Sequence, residues 1–405
     1  MNQILLSADR LWDGRAGACL QRPIVRVGGA KIHTIQMSLP QSIAPPAGGR
    51  THFAGCTILP GLIDTHVHLV MSALDTNEAI IAQVTGESDQ QLLARVAANA
   101  QAALRAGLTT IRDCGGTKNH VQQIRDRIRR GELQGPDILA CGSPITTTRG
   151  HCHWLGLVAD SYDEVERAAN RMLSEDADFL KVMATGGNMT ASSDPMKAQY
   201  DGKTLARIAD IGRAANKHSA AHVLSRCALP DVVAARYQTI EHCDWRVEEF
   251  RYEFDPELAR KIVDQNQIVG LTMSGLARRA FLPQVRFLDI SPVKRMDARF
   301  ACERQMIDFG IRYTIHSDAG VRMCPIDQFA LGLRAAQVEL KLTPIEILRA
   351  VTSTAAEAIG LPDRGVLRAG NRADLIVVEG DPTRDLRALE NIRAVMKAGV
   401  WNVRV

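Results

Sequence analysis

Residues 88–113, SDQQLLARVAANAQAALRAGLTTIRD, place a helix directly before a strand. The helix opens at Ser88-Asp89-Gln90-Gln91 and stops at Gly107. The strand follows at once over residues 108–113. The helix is predicted because its apolar positions keep a 3.6-residue period. They are Leu92, Leu93, Val96, Ala100, Ala103 and Leu104. A helix that passes directly into an apolar strand indicates one unit of a repeating α/β architecture.

The same alternation continues along the middle of the chain. With residues 108–113 and a strand that ends near His68, it gives eight strands with helical patterns between them in roughly 300 residues, which predicts a closed (β/α)₈ TIM barrel rather than an open sheet. Thr343-Pro344-Ile345-Glu346 is a capping box that starts a late helix. The remaining strand candidates are residues 138–141, 179–183, 219–223, 239–243, 268–273 and 312–317.

Both ends of the chain are rich in β-like runs. Near the start these are residues 4–7, 23–27 and 31–36, the last two separated by Gly28-Gly29. Near the end they are residues 373–378 and 394–400. We therefore expect a small β-sandwich domain built from residues 1–57 and 360–405, and a catalytic barrel over residues 58–359.

Composition excludes several classes of protein. The 405 residues are 46% hydrophobic and 23% charged, with a formal net charge of +4 and no Lys/Arg block, so a nucleic-acid partner is disfavoured. No apolar stretch approaches the roughly 20 residues of a membrane span, and residues 1–10 do not resemble a signal peptide. The nine cysteines never form a C-x-x-C pair, which favours reduced thiols in a cytoplasmic protein.

Metal-ligand residues recur at the ends of the predicted barrel strands, where barrel enzymes carry their active sites. His66 and His68 lie two apart on one strand, so both side chains share a face and can hold one ion. Each residue alone is more often a core or surface group, but packing alone does not readily place six candidate ligands at these ends. The others are Lys181, His222, His242 and Asp318.

Lys181 is the most informative of these residues. It lies between Leu180 and Val182 in a strand predicted to be buried, where an unpaired charge is costly. A neutral amine at this position can react with carbon dioxide to give a carbamate, an anion able to bridge two metals. The alternative is a lysine held in an ion pair across the barrel.

An ordered set of motifs resembles the binuclear branch of the amidohydrolase superfamily, in the group of imidazolonepropionase-like enzymes and Xaa-Pro or Xaa-Arg dipeptidases. The resemblance implies that His66, His68 and Asp318 hold the more buried metal. It implies that His222 and His242 hold the second, and that carboxylated Lys181 bridges the two. The motifs are LPGLIDTHVH (59–68), IRD (111–113), GHC (150–152), KVMATGG (181–187), IEH (240–242), SDAG (317–320) and GNRADLIV (370–377).

The resemblance also implies a mechanism. Two divalent ions, zinc first with manganese or iron as alternatives, share a water and lower its pKa enough to supply a bridging hydroxide. Asp318 takes the proton and returns it to the leaving nitrogen. The predicted activity is hydrolysis of an amide or peptide-like C–N bond, as in a dipeptidase or N-acyl amino acid hydrolase. The relatives imply a homo-oligomer that acts on a small molecule.

Two positions depart from the family pattern and bear on the substrate. Leu224 follows His222 where the dipeptidases have a polar or aromatic residue, and it cannot hydrogen-bond a substrate carboxylate. His316 precedes Ser317-Asp318 where the family has glycine, and either supports the ligands from one layer below or is a packed core residue. The first departure weakens the dipeptidase interpretation.

The loop after the third strand carries two more histidines. His151 lies in a Gly-His-Cys element of the family and either orients the substrate carbonyl or its oxyanion, or stabilises the loop. For His153, next to Trp154, the structural role is favoured. Met189 and Met196 either line an adaptable apolar pocket or pack in a loop.

Three other functions compete with amide hydrolysis. A mononuclear deaminase on the same barrel is disfavoured, because such enzymes lack the fourth-strand lysine and place a glutamate shortly after the fifth-strand histidine. Hydrolysis of a urea, carbamate or cyclic amide (lactam or imidazolone) needs the same metal chemistry, so the ligands do not distinguish it. A non-catalytic barrel scaffold is least favoured, because all six ligand positions are filled.

Overall fold

Parallel strands with helices between them form the middle of the chain in the computed structural model, which describes residues 3–37, 50–273 and 291–404. The strands are β1 (Gln3–Leu11), β2 (Leu20–Gln21), β3 (Ile24–Gly28), β4 (Lys31–Gln36), β5 (Arg50–Pro60), β6 (Leu62–Val67), β7 (Leu108–Asp113), β8 (Asp137–Ala140), β9 (Ile145–Thr146), β10 (Leu157–Val158), β11 (Phe179–Met183), β12 (His218–His222), β13 (Thr239–Glu241), β14 (Arg246–Glu248), β15 (Arg251–Tyr252), β16 (Ile268–Thr272), β17 (Tyr313–His316), β18 (Leu375–Glu379), β19 (Ile392–Lys397) and β20 (Val400–Arg404).

Helices follow most of the central strands. They are α1 (Asn77–Gly86), α2 (Asp89–Arg105), α3 (His120–Arg129), α4 (Tyr162–Ser174), α5 (Gly202–Ala214), α6 (Leu229–Ala234), α7 (Pro256–Asp264), α8 (Ser291–Phe309), α9 (Phe329–Glu339), α10 (Pro344–Ala350) and α11 (Ser353–Ala358), with short 3₁₀ turns at Ile326–Gln328 and Leu386–Glu390. Ser88 and Thr343 begin α2 and α10 with complete capping boxes. Among the described residues, no helix combines the length and apolar character needed to cross a membrane.

Two parallel sheets carry the central strands. One has the order β6-β7-β8, and the other β10-β9-β11-β12-β13-β16-β17. A parallel bridge between Val67 and Ala319 joins β6 to the segment after β17. The Asp178 N–H donates to the Ala140 carbonyl over 2.8 Å, which links β8 to the start of β11. Most residues of these strands are buried, as expected where helices cover a parallel sheet.

All eight strands predicted for the barrel are present, as β6, β7, β8, β11, β12, β13, β16 and β17. β7 and β11 have the predicted ends. The unpredicted strands of these two sheets are β9 and β10, which lie between β8 and β11 in the chain, and Ile145 of β9 pairs with Val182 of β11. Strands of two residues are too short for any hydrophobic period to reveal them.

Strands from both chain ends share one sheet. Its order is β20-β19-β18-β5-β1-β3-β4, with β2 paired to β1. It has a core of its own that includes Leu6, Val25, Ile58, Val377 and Met396. β5 continues past residue 57 to Pro60, so the sheet leads directly into β6. The sandwich arrangement and the domain limits stay predictions.

Candidate metal centre

The six predicted ligands lie together at the carboxyl ends of the central strands. His66 is the next-to-last residue of β6 and His68 follows that strand, whereas His222 is the last residue of β12. Lys181 is two residues inside the end of β11. His242 follows β13, and Asp318 comes two residues after β17. We call these six residues the strand-end cluster.

His66, His68 and Asp318 form the tightest part of the cluster. The Nε2 atoms of His66 and His68 lie 3.5 Å and 3.2 Å from the same Oδ1 of Asp318. One donor atom from each of the three residues fits within 4.8 Å, a spacing that can hold a metal ion. The Asp318 backbone N–H donates to the His66 carbonyl over 3.0 Å, which fixes the two segments relative to each other.

The second nitrogens of His66 and His68 are already engaged. His66 Nδ1 donates to Glu241 Oε2 over 3.0 Å, and His68 Nδ1 donates to the Gly115 carbonyl over 3.1 Å. Such bonds fix the tautomer and the ring orientation of a metal-binding histidine. In both rings Nε2 is therefore the nitrogen that is directed at the cluster.

His222 and His242 complete the ring of imidazoles. Their ring centroids are 4.6 Å apart, and His242 lies 5.2 Å from His66. His242 Nδ1 is 2.6 Å from the Thr272 hydroxyl, which leaves Nε2 for the cluster. His222 is held by the other nitrogen, because its Nε2 donates to the Gly186 carbonyl over 3.3 Å, and Nδ1 remains.

Lys181 brings an amine into this set. Its side chain is 2% exposed, and no described residue provides a hydrogen-bond partner for its Nζ. The ion pair across the barrel, which was the alternative role for this lysine, is not found among the described side chains. A buried amine without a partner is costly unless a further group meets it there.

Two residues of the cluster occupy a left-handed backbone conformation. His242 has φ of 66° and Asp318 has φ of 56°. Residues other than glycine adopt this region rarely, at a cost of about 1–3 kcal/mol, and such residues concentrate at functional sites. The turn after β13 and the turn after β17 thus aim their side chains by a bend that a straight strand would not give.

Burial sets the charge of the imidazoles. It lowers the pKa of His66, His222 and His242 well below the usual value, with nearby positive groups adding to the effect. They are therefore neutral near pH 7, the form in which histidine binds metals. For His68 burial opposes protonation, but the hydrogen bond to Asp318, the charges of Asp318 and Asp113 and the bond to Gly115 together raise the pKa.

A charged network that the sequence did not reveal supports His66 from below. Glu241 Oε1 accepts from Arg112 Nη2 over 2.6 Å, while Oε2 accepts from His66. Burial opposes ionisation of Glu241, yet Arg112 lowers its pKa to about 2. His316 stacks on His66 with ring centroids 4.6 Å apart. An arginine and a glutamate in strands that are buried throughout were the available signal.

Gly270 makes room for this lower layer. A Cβ at that position would lie 2.6 Å from His316 Nε2 and 3.0 Å from Glu241 Oε2. His316 is fully buried, and burial lowers its pKa to about 4. The His316 ring is therefore neutral. It lies one layer below the strand-end cluster, the position from which one of its two predicted roles would support the ligands.

A second group with metal-like spacing is a poorer candidate. His66, Cys114 and Glu241 also bring one atom each within 4.8 Å. Burial raises the pKa of the Cys114 thiol to about 12, and the charge of Glu241 is already neutralised by Arg112. Because a thiol binds metal as thiolate, this group does not compete with the strand-end cluster.

The two loop histidines differ in position. His151 is buried, its ring centroid lies 4.4 Å from that of His222, and its Nδ1 has no partner among the described residues. A Cβ at Gly187 would come within 2.4 Å of the same ring. His153 instead donates from Nδ1 to the Gly150 carbonyl and is absent from the described lining of the cavity above the cluster.

That cavity, the strand-end cavity, has a volume of about 350 Å³ and opens above the metal-ligand residues. Met189 and Leu224 line it, whereas Met196 is not among its described lining residues. Its size is in the range of small-molecule sites. Besides the cluster and His151, its lining combines an apolar part (Met183, Met189, Leu224, Met296, Val321) with a polar part (Asn77, Asn188, Asp244, Arg246, Tyr252, Thr272, Arg299, Arg322).

Comparison with known proteins gives a consistent result. A sequence model of the amidohydrolase family matches residues 57–401. Ochratoxinase from Aspergillus niger is 24% identical over 375 residues, which cover 85% of this chain and 74% of that protein. Imidazolonepropionase from Bacillus velezensis is 25% identical over 358 residues, 80% of this chain and 76% of that protein.

Solved structures show the same fold. A Xaa-Pro dipeptidase with methionine bound in its active site superposes with a TM-score of 0.84 at 22% identity, over 98% of this chain and 99% of that one. The similarity in fold agrees with the alternating strands and helices described above and confirms the predicted TIM-barrel class.

Proposed function

This chain belongs to the amidohydrolase family, and from that premise we propose that it is a binuclear metal-dependent hydrolase of small amide or peptide-like substrates. Family membership and the hydrolase relatives support the coarser statement, an enzyme that acts on C–N bonds. The observation that carries the finer one is the meeting of His66, His68 and Asp318 beside the unpartnered amine of Lys181.

The donor set fits two divalent ions. His66, His68 and Asp318 would hold the first, and His222 and His242 the second. Support comes from the nitrogens left after hydrogen bonding, Nε2 of three rings and Nδ1 of His222. Neutral imidazoles with one carboxylate suit zinc, and also manganese or iron.

Lys181 would bridge the ions as N6-carboxylysine. In that modification the Nζ–carbon bond forms on carbon dioxide, one N–H proton leaves to solvent, and the amine becomes an anionic carbamate. The buried Nζ without a hydrogen-bond partner supports this role, because the carbamate replaces a costly buried cation by a group that binds metal.

Bound divalent ions would supply Lewis acidity, which activates water near neutral pH and polarises a carbonyl. The residues of the chain would carry the protons. Asp318 accepts the proton of the attacking water and passes it to the leaving nitrogen. In the metal-free protein burial raises the pKa of the Asp318 carboxyl, but His68, His316 and Lys181 together lower it by more, so the carboxylate is ionised.

His151 would bind the substrate carbonyl oxygen. It lines the cavity, and burial lowers its pKa to about 3, so the ring is neutral and acts as a hydrogen-bond donor. A fixed donor aimed at the developing negative charge typically contributes about 10²–10³ in rate. His151 completes the set that positions the scissile carbonyl.

For the substrate we favour a dipeptide or N-acyl amino acid. A cavity of about 350 Å³ with an apolar part accommodates an amino-acid side chain. The match to imidazolonepropionase favours a cyclic amide as the second candidate, with ureas and carbamates in the same chemical class. A non-catalytic scaffold has no support in the described site.

One experiment tests the proposal in two stages. Purified protein is stripped, reloaded with zinc, manganese or iron, and its metal content measured. The loaded enzyme is then screened against dipeptides, N-acyl amino acids, ureas, carbamates and cyclic amides. We expect about two ions per chain and turnover in the first two classes. Failure to retain any divalent ion would overturn the metal-dependent function, and turnover of ureas or carbamates alone would overturn the preferred substrate.

The architecture behind this function is also part of the proposal. We infer that the two parallel sheets close into one (β/α)₈ barrel, supported by the Val67–Ala319 bridge on one side and the Asp178–Ala140 hydrogen bond on the other. Residues 58–359 would form this catalytic barrel, with residues 1–57 and 360–405 in the β domain. A homo-oligomer is proposed from the family resemblance alone, and a cytoplasmic location from the nine cysteines, which never form a C-x-x-C pair.

A further inference from the structure

Arg246 is a buried cation that the mechanism above does not use. It begins β14 and lines the strand-end cavity, with 4% of its surface exposed. Its Nε and Nη2 are shielded from solvent and have no hydrogen-bond partner among the described residues. Two donor nitrogens of one guanidinium thus remain unsatisfied beside the proposed metal centre.

The neighbouring Arg299 shows what a satisfied guanidinium looks like in the same cavity. Its Nη2 lies 2.7 Å from Glu303 Oε1 and donates to the Thr272 carbonyl over 3.0 Å, and its Nε lies 3.3 Å from Asp244 Oδ1. Two carboxylates therefore neutralise Arg299. Arg246 has no ion pair with any described side chain, so its charge is available to a ligand.

An unpaired guanidinium in a closed site is costly, and its fork of donors matches the two oxygens of a carboxylate. We propose that Arg246 binds the carboxylate of the substrate. The inference rests on the proposed hydrolase function and deepens it: the substrate class is N-acyl amino acids and dipeptides with a free α-carboxylate. Arg246 is then a residue that determines specificity.

The position of Arg246 supports a fixed binding role. Its backbone pairs with Tyr252 in the β14–β15 hairpin, and its carbonyl accepts from the Arg226 N–H over 2.9 Å. Leu224, which cannot bind a carboxylate itself, lines the same cavity. Arg246 thus supplies the cation that the fifth-strand pattern lacks, and Leu224 and Met189 are left to contact the apolar side chain of the substrate.

Equilibrium binding to metal-free protein tests the inference without any turnover. The probes are N-acetyl-L-methionine and the uncharged N-acetyl-L-methioninamide, compared by titration calorimetry. Because a charge-assisted pair of hydrogen bonds is lost with the amide, we expect the acid to bind about 10- to 100-fold more tightly. Arg246→Met should remove this preference, because it weakens binding of the acid and leaves binding of the amide unchanged. Arg246→Lys should keep part of the preference.

Arg251→Met is the matched control, since Arg251 lies in the same hairpin but is exposed and pairs with Glu248. It should leave both affinities unchanged. Equal affinity of wild-type protein for acid and amide, a result that needs no variant to fold, would overturn the proposal. If Arg246→Met has a native circular dichroism spectrum but loses affinity equally for both probes, the proposal is also overturned.

Hydrolysis separates this inference from the proposed function. If metal-loaded enzyme cleaves neither probe while the preference for the acid in binding persists, the hydrolase substrate is wrong and the role of Arg246 stands. If it cleaves acid and amide with the same kcat/KM, the hydrolase function stands and the role of Arg246 is wrong. In the expected result, Arg246→Met raises KM for the acid about 10- to 100-fold with little change in kcat.

Discussion

Two groups of buried or partly buried polar side chains lie near opposite ends of the parallel strands, and they differ in how their charges are paired. At the strand starts, Asp137 of β8 lies 2.7 Å from Arg364 Nη1, 2.5 Å from Arg372 Nη1 and 3.4 Å from Lys397 Nζ. Asp374 completes this strand-start cluster, 3.1 Å from Arg372 Nε. At the strand ends, Lys181 Nζ and His151 Nδ1 have no partner among the described residues.

The difference connects the strand-start cluster with stability and the strand-end cluster with chemistry. In the strand-start cluster each charged side chain has an opposite charge within 4 Å, so the group holds β8 against the terminal sheet. Asp374 Oδ2 has no hydrogen-bond partner among the described residues, but it lies 3.9 Å from Arg364 Nη1. The strand-end cluster keeps unsatisfied buried donors and two left-handed residues, which destabilise the empty protein. We therefore expect substitutions at the strand ends to change activity and those at the strand starts to change stability.

The largest expected effect comes from Lys181→Ala. Loss of the bridging carbamate should release metal and lower kcat/KM by about 10³-fold or more, since the charge that holds both ions is removed. Metal content and hydrolysis of an N-acyl amino acid are measured together. Millimolar propionate, a carboxylate small enough to enter the space left by the side chain, should partly restore both.

Lys203→Ala is the matched control, because Lys203 is exposed on α5. It should keep metal content and rate. A Lys181→Ala protein with two metals and the wild-type rate would contradict both the carbamate and the contrast between the two clusters.

Sequence and structure agree best where one local pattern decides the outcome. The strands β7 and β11 were predicted with their observed ends, because an apolar run is bounded by a helix stop or by polar residues. The six residues of the strand-end cluster were identified because metal ligands at strand ends recur in barrel enzymes. β9 and β10 were missed, since two residues carry no period.

The roles of Glu241, Arg112 and Arg246 were beyond the sequence for a different reason. Whether a buried charge is paired depends on distances between strands that are far apart in the chain, as for Arg112 and Glu241, 129 residues apart. Arg112, like Arg246, is a buried arginine, but its charge is neutralised by Glu241. Only the contacts distinguish it from Arg246, whose donors remain unsatisfied.

His151→Asn tests the second unpartnered group of the strand ends. Asparagine keeps a donor but changes its reach, so kcat should fall about 10²-fold while metal content and thermal unfolding stay near wild type. Steady-state kinetics and metal analysis check this. His153→Asn is the control in the same loop, and it should change kcat by less than about twofold, because His153 is absent from the described lining of the cavity. Equal losses in the two variants would assign His151 to loop stability.

Asp137→Asn tests the strand-start cluster. The amide leaves Arg364 and Arg372 without their shared anion, which should lower the free energy of unfolding by about 2 kcal/mol near pH 7. The strand-end cavity lies elsewhere, so kcat/KM at 25 °C should stay near wild type. Urea denaturation and kinetics are the two measurements. A loss of activity larger than the loss of stability explains would contradict the division of roles.

The smallest expected effect is the change with pH in the difference in unfolding free energy between the wild type and Asp137→Asn. Burial opposes ionisation of Asp137, but Arg372, Arg364 and Lys397 lower its pKa from 3.8 to about 2. The folded state therefore binds this proton less readily than the unfolded state, and the stabilisation is complete above about pH 4 and lost as the pH falls towards 2.

The difference in unfolding free energy between wild type and Asp137→Asn should narrow by about 1 kcal/mol between pH 6 and pH 3. Urea denaturation of metal-stripped protein at several pH values measures it, with Asp163→Asn on the exposed side of α4 as the surface control. Because the strand-end histidines are common to both proteins, their titration cancels in the difference, and a gap that stays constant or widens in acid would show that the strand-start cluster does not stabilise the fold through the charge of Asp137.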